Sequence, residues 1–250
     1  AVTDGRYNTL VGANAADNLT TGDQNVALGF QALETEDTGS RNTAIGAYAL
    51  KALNNDDTSY NTAVGYAAGV AVTTGIQNTL IGALAGDYLT DADYNQALGA
   101  YALSGDTKGN RSVAIGGSSL YTQNFTTSTN TYNTAVGHGT GYAITTGIYN
   151  TLIGGNAGTA LIDADANVAL GVSALVLDTY GSNSVAIGTS ALATQNFTTA
   201  TDSYNTAVGH NSGTAVTTGL RNVLVGGLAG DALTDADDNV AIGVYALSAD

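Results

Sequence analysis

The chain has no cysteine, methionine, tryptophan or proline, and only three phenylalanines among its 250 residues. Without cysteine there is no disulfide framework, although this leaves the redox compartment open. At ordinary usage of about 5%, a chain of this size would carry roughly a dozen prolines. Avoiding proline throughout keeps every backbone N–H as a donor, as a continuous sheet requires. No apolar run approaches the ~18 residues of a membrane-spanning helix, so no membrane insertion is expected. Residues 1–7 lack the form of a signal peptide, and the chain reads as a mature product or an excised segment. Basic residues are scarce: six Lys and Arg stand against 21 Asp and Glu, a net charge of −15. That balance argues against nucleic acid and anionic membranes as partners. It suits a soluble extracellular surface, or one that collects cations.

What is present is a repeat. The motif Asn-(Thr/Val/Ser)-(Ala/Leu)-(Val/Ile/Leu)-Gly recurs with its glycines at Gly12, Gly29, Gly46, Gly65, Gly82, Gly99, Gly116, Gly137, Gly154, Gly171, Gly188, Gly209, Gly226 and Gly243. The interval from Gly12 to Gly29 is the common one. That from Gly46 to Gly65 is slightly longer, and those from Gly116 to Gly137 and from Gly188 to Gly209 are the longest. Gly65, Gly137 and Gly209 are evenly spaced, four turns apart, which marks a four-turn unit within one repeat domain spanning 1–250. Each motif reads as a short strand, with Thr134 and Val136 on one face and Ala135 on the other. So short a period leaves no room for a strand–helix–strand crossover, but it suits a coil that returns to pair with itself. The expected fold is therefore all-β: a parallel β-solenoid of about fourteen turns, each of roughly 17–21 residues. The glycine marks a corner where φ is positive or a Cβ is excluded. The motif Asn, replaced by Ser112 and Ser184 in two turns, is expected to stack as an amide ladder that satisfies the turn backbone. A polar ligand-binding row is the alternative.

Asn183-Ser184-Val185-Ala186-Ile187-Gly188 and the Asn-Thr-Ala-Val/Ile-Gly copies resemble the head repeats of YadA-like trimeric autotransporter adhesins and the repeats of phage tail fibres. The resemblance covers essentially the whole chain. It implies a left-handed β-roll, three chains side by side, and a role in reach or attachment outside the cell, at a cell surface or on a virion appendage. Neither end reads as a polar cap. Joining one copy's tail to another's head would separate Gly243 from the next Gly12 by the same interval as Gly46 from Gly65. The chain is thus expected to be cut from a longer array, or to stack head to tail as a filament.

Three acidic pairs, Asp91/Asp93, Asp163/Asp165 and Asp235/Asp237, recur at one point of the four-turn unit. Alternating carboxylates in a turn suit calcium as a hard-cation ligand set, or serve as solvated acids that discourage aggregation; no cofactor is otherwise required. The two longest turns carry Gln123-Asn124-Phe125-Thr126-Thr127 and Gln195-Asn196-Phe197-Thr198-Thr199. Insertions in a solenoid often form the binding face. Asn124, Phe125, Thr126, Asn196, Phe197 and Thr198 are therefore candidates for contacting a cell-surface glycan, unless each Phe tucks back onto the coil. His138 and His210 read as surface turn residues, and the tyrosines before the motif Asn as packing residues or sugar platforms. No Ser/His/acid set or phosphate loop is recognisable, so an enzyme is not expected. An extracellular fibre or adhesin segment leads. A ligand-free filament and an ice-binding solenoid follow, the latter weakened because Val26, Gln96, Val113, Val168, Val185, Val223 and Val240 interrupt the strand threonines.

Overall fold

A computed structural model describes residues 2–248, and these contain strands and turns but no helix. The architecture is a parallel β-solenoid of about fourteen turns, each contributing one three-residue strand at its motif. The described residues form two compact units, divided between Thr131 and Tyr132. The first contains β1 (Thr9–Val11), β2 (Val26–Leu28), β3 (Thr43–Ile45), β4 (Thr62–Val64), β5 (Thr79–Ile81), β6 (Gln96–Leu98), β7 (Gly109–Asn110), β8 (Val113–Ile115) and β9 (Thr129–Asn130). The second contains β10 (Thr134–Val136), β11 (Thr151–Ile153), β12 (Val168–Leu170), β13 (Gly181–Ser182), β14 (Val185–Ile187), β15 (Thr201–Asp202), β16 (Thr206–Val208), β17 (Val223–Val225) and β18 (Val240–Ile242). Within each unit, successive motif strands pair in parallel, like position on like: Thr62 opposite Thr79, Ala63 opposite Leu80, Val64 opposite Ile81. The short pairs β7–β9 and β13–β15 form where the turns are longest.

The middle strand residue points inward. Ala27, Ala44, Ala63, Ala97, Ala135, Ala169 and Ala186 have no exposed surface. Parallel backbones lie about 4.8 Å apart, and the coil is thin, so small side chains fill most of it. Larger ones are rationed between turns. Where the middle residue is Ala, a Leu often follows at the fourth position after the glycine, as with Ala97 and Leu103, or Ala169 and Leu175, all fully buried. Where it is Leu, that later position is Gly, or Ala16 in the first turn. Leu80 spans two such places: a Cβ on Gly69 would lie 2.6 Å from one of its methyl carbons, and a Cβ on Gly86 2.8 Å from the other. Leu224 does the same for Gly213 and Gly230, at 2.7 Å each. Each buried Leu contributes about 2 kcal/mol relative to exposure, so the core is held by volume shared between neighbouring turns.

Two devices fix the corners. At Gly137, φ is +138°, and an added Cβ would lie 2.7 Å from the Gly154 carbonyl of the next turn. The motif Asn forms the expected ladder. Asn42 N–H donates to Asn25 Oδ1 at 2.9 Å, while Asn25 Nδ2 donates to the Gly39 carbonyl at 2.8 Å. One side chain therefore satisfies two backbone groups of the following turn. The residue just before it adopts left-handed φ, from 50° at Tyr132 to 63° at Arg111, at a cost of about 1 kcal/mol for a residue with a Cβ. Turn-to-turn bonds offset that cost, such as Gln77 N–H to the Ser59 carbonyl at 2.7 Å. This left-handed position was not legible beforehand, since Tyr, Gln, Arg, Ala and Asp occupy it as readily as Asn.

Candidate functional site

The long turns differ from the expectation of protruding binding loops. Phe125 and Phe197 are only 7% and 6% exposed, so each ring tucks back onto the coil, the other reading the sequence allowed. Their neighbours Asn124, Thr126, Asn196 and Thr198 are exposed. Asn124 Oδ1 accepts from Thr107 Oγ1 at 3.1 Å, and Asn196 Oδ1 from Thr179 Oγ1 at 2.9 Å.

Beneath each phenylalanine lies a buried polar network that the sequence reading missed. Asp106 Oδ1 accepts from Gly109 N–H at 3.1 Å and Phe125 N–H at 3.0 Å, and its Oδ2 accepts from Gln123 Nε2 at 2.5 Å. Gln123 Nε2 also donates to Ser112 Oγ at 2.8 Å. Thr131 Oγ1 gives its proton to the Asn110 carbonyl, so Ser112 is the donor in its 2.6 Å contact with Thr131. The second unit repeats the arrangement. Asp178 holds Gly181 N–H, Phe197 N–H and Gln195 Nε2, and Gln195 reaches Ser184 Oγ at 2.8 Å. Asn205 Nδ2 donates to Gln195 Oε1 at 2.8 Å. A signal was present: Ser replaces the motif Asn only in Ser112 and Ser184, the same turns that carry Gln-Asn-Phe-Thr-Thr. The shorter Ser leaves room that the Gln carboxamide fills. Burial pushes the Asp106 carboxyl above its ordinary 3.8, with the bonds from Gln123, Phe125, Gly109 and Thr107 opposing.

The two members of each acidic pair have different surroundings. The second member caps backbone: Asp93 accepts from Ile76 N–H, Asp165 from Ile148 N–H and Asp237 from Leu220 N–H, each at 2.8 Å. The first members face solvent, where Asp91 meets Lys108 Nζ at 3.5 Å and Asp163 accepts from Thr146 Oγ1. Burial raises the Asp165 carboxyl above the usual range, with Asp163 and Asp202 adding repulsion and the Ile148 N–H opposing. Among the described residues, no three His, Cys, Asp or Glu side chains converge as a metal-holding group. A shallow acidic groove of the first unit is lined by Asn55, Asp57, Thr74, Ile76, Asp91 and Asp93.

On the outer face, the third strand residue is aliphatic in every turn and turned to solvent or half-buried. In the first unit Leu28 is 45% and Ile81 39% exposed; in the second, Ile153 is 37% and Leu170 43%. Aromatic rows flank these strands. Phe30, Tyr48 and Tyr66 meet edge to face at 5.4 and 5.8 Å between centroids, whereas Tyr132 and Tyr149 stack at 5.9 Å. His138 and His210 are exposed turn residues. Among the described residues, no helix is long and apolar enough to cross a membrane. No family model, curated protein or solved structure matches the chain.

Proposed function

We propose that the chain is a non-enzymatic extracellular fibre or adhesin segment that supplies reach and stiffness by assembling with copies of itself. The observation that carries this reading is the outward aliphatic row. A strand position that faces solvent in a single chain is normally polar on at least some turns. Here it is Val, Ile or Leu in all of them. Contiguous exposed apolar surface of this kind marks an interaction site. Three chains side by side, as the adhesin resemblance implies, would cover it.

Attachment to a cell-surface glycan would then fall to exposed polar groups, Asn124, Thr126, Asn196 and Thr198, with Phe125 and Phe197 shaping the turn from below. Calcium, if bound at Asp91, Asp163 or Asp235, would draw on the second carboxylate oxygen of Asp93, Asp165 or Asp237, since only Oδ1 of each is engaged by a backbone N–H.

The test is the mass in solution, by sedimentation or light scattering, of the parent chain and an Ile153→Asp/Leu170→Asp variant. A discrete oligomer that the variant dissociates supports the reading. A strictly monomeric parent overturns it, and mass growing with concentration points to head-to-tail filaments instead. Unchanged glycan binding by Asn124→Ala/Asn196→Ala would remove those turns from the adhesive role.

A further inference from the structure

Oxidants have few targets in this chain. With no Cys, Met or Trp and only two His, its 14 Tyr are the main oxidisable side chains. What a tyrosyl radical does next depends on the ring beside it. The described ring pairs fall into two kinds. Phe30–Tyr48 and Tyr48–Tyr66 meet at 86° and 88°, and Tyr101–Tyr121 at 68°. An edge-to-face pair aims one ring's rim at the other's face, so like carbons do not meet. Tyr132 and Tyr149 are inclined by only 13° at 5.9 Å, within the offset-stacked range.

The origin of that stack lies in the repeat. Both tyrosines precede the motif Asn, both have left-handed φ, 50° and 61°, and their following strands pair in parallel, Thr134 opposite Thr151. The two side chains leave equivalent backbone positions of adjacent turns, and their rings lie nearly parallel and close together. The two residues are 49% and 55% exposed, so an oxidant can reach them.

We propose that Tyr132 and Tyr149 form a dityrosine cross-link site that staples adjacent turns when the protein meets a peroxidase-type one-electron oxidant. Each phenol loses one electron and one proton to give a phenoxyl radical. The two radicals join through a carbon–carbon bond between ring positions ortho to oxygen, giving two linked dienones, and the hydrogen on each of those carbons then moves as a proton to the ring carbonyl oxygen, which restores both phenols. The net change is loss of two hydrogens from the protein, with one hydrogen peroxide reduced to two waters.

The experiment treats the full-length native chain with peroxidase and hydrogen peroxide. It reads dityrosine fluorescence, intact mass and the linked peptides after chymotryptic digestion. The expected product is a monomer-sized chain lighter by two hydrogens, with Tyr132 joined to Tyr149. Tyr149→Phe keeps the ring and should abolish that link, whereas Tyr66→Phe, from an edge-to-face pair, should leave its yield unchanged. Circular dichroism matching the parent shows that each variant is folded. Links spread over other tyrosines at undiminished yield in Tyr149→Phe, links only between chains, or no dityrosine at all would each overturn the assignment.

Discussion

The corner around Glu36 and the corner around Asp106 meet the same demand with different chemistry. Each lies one turn before a lengthened one, the moderately long turn that ends at Gly65 in one case and the longer turn that ends at Gly137 in the other. In a turn of ordinary length the Thr-Thr-Gly backbone finds carbonyls directly above, as when Thr73 N–H donates to the Thr90 carbonyl at 2.8 Å. An insertion takes the next backbone out of that register, and a buried carboxylate supplies the missing acceptor. Glu36 takes Gly39 N–H at 2.7 Å and Asn55 N–H at 3.2 Å; the place that Gln123 holds in the other corner is taken here by Leu53, fully buried. Asp106 is one methylene shorter and holds Phe125 N–H together with the side chain of Gln123. A longer insertion thus comes with a fuller polar network and an aromatic plug.

The largest break in this scheme should come where both corners share a constraint. Gly137→Val places a branched side chain at a φ of +138° against the Gly154 carbonyl. A loss of at least ~3 kcal/mol is expected, measured by denaturant unfolding; an unchanged midpoint would show that the corner can open. Phe125→Ala should cost roughly 3 kcal/mol by leaving a cavity, while Asn55→Ala, at the matching place in the Glu36 corner, should cost far less. Gln123→Leu converts the Asp106 corner toward the Glu36 type. It strips a donor from both Asp106 and Ser112, for an expected loss of about 1–3 kcal/mol. Stabilisation instead would mean that the network is dispensable.

Acid sharpens the comparison further. Burial raises the carboxyl groups of Glu36, Asp87, Asp106 and Asp165. A raised folded value means that the native state binds more protons than the unfolded chain, so stability falls as pH climbs from the ordinary carboxylate range through the folded values. Melting temperature should therefore rise on going from neutral toward mildly acidic pH, with a shallower slope in Asp106→Asn; a fall would contradict the sign. Least of all should Thr134→Val matter: its side chain is on the outer face, so the change should stay within about 0.5 kcal/mol.

Much of the fold was written in the residues. The glycine spacing set the number of turns, the motif placed each strand, and Asn at a fixed offset announced the ladder. These follow because a coil that stacks on itself must return after nearly the same length of backbone, and a corner that excludes Cβ admits only glycine. The candidate site was less legible. The Asp91/Asp93 type of pair could be read as a calcium ligand set or as solvated acids, because alternation in sequence does not say which carboxylate already holds a backbone N–H. Phe125 could be read as a loop tip or as folded back onto the coil, because an insertion gives length without direction. Asp106 drew no notice, and Gln123 was grouped only with its long turn, because the two meet only across neighbouring turns of the coil.

The sequence by itself determined that Thr134 and Val136 share one face and Ala135 the other. Only the tertiary structure decided that the alanine face is the inside and the aliphatic one the outside. Alternation fixes two faces but not which is enclosed; that depends on how sharply the rest of the turn closes. The turn closes tightly here, through left-handed corners, and the room left suits Ala beside a shared Leu, so the larger aliphatic side chains are turned outward.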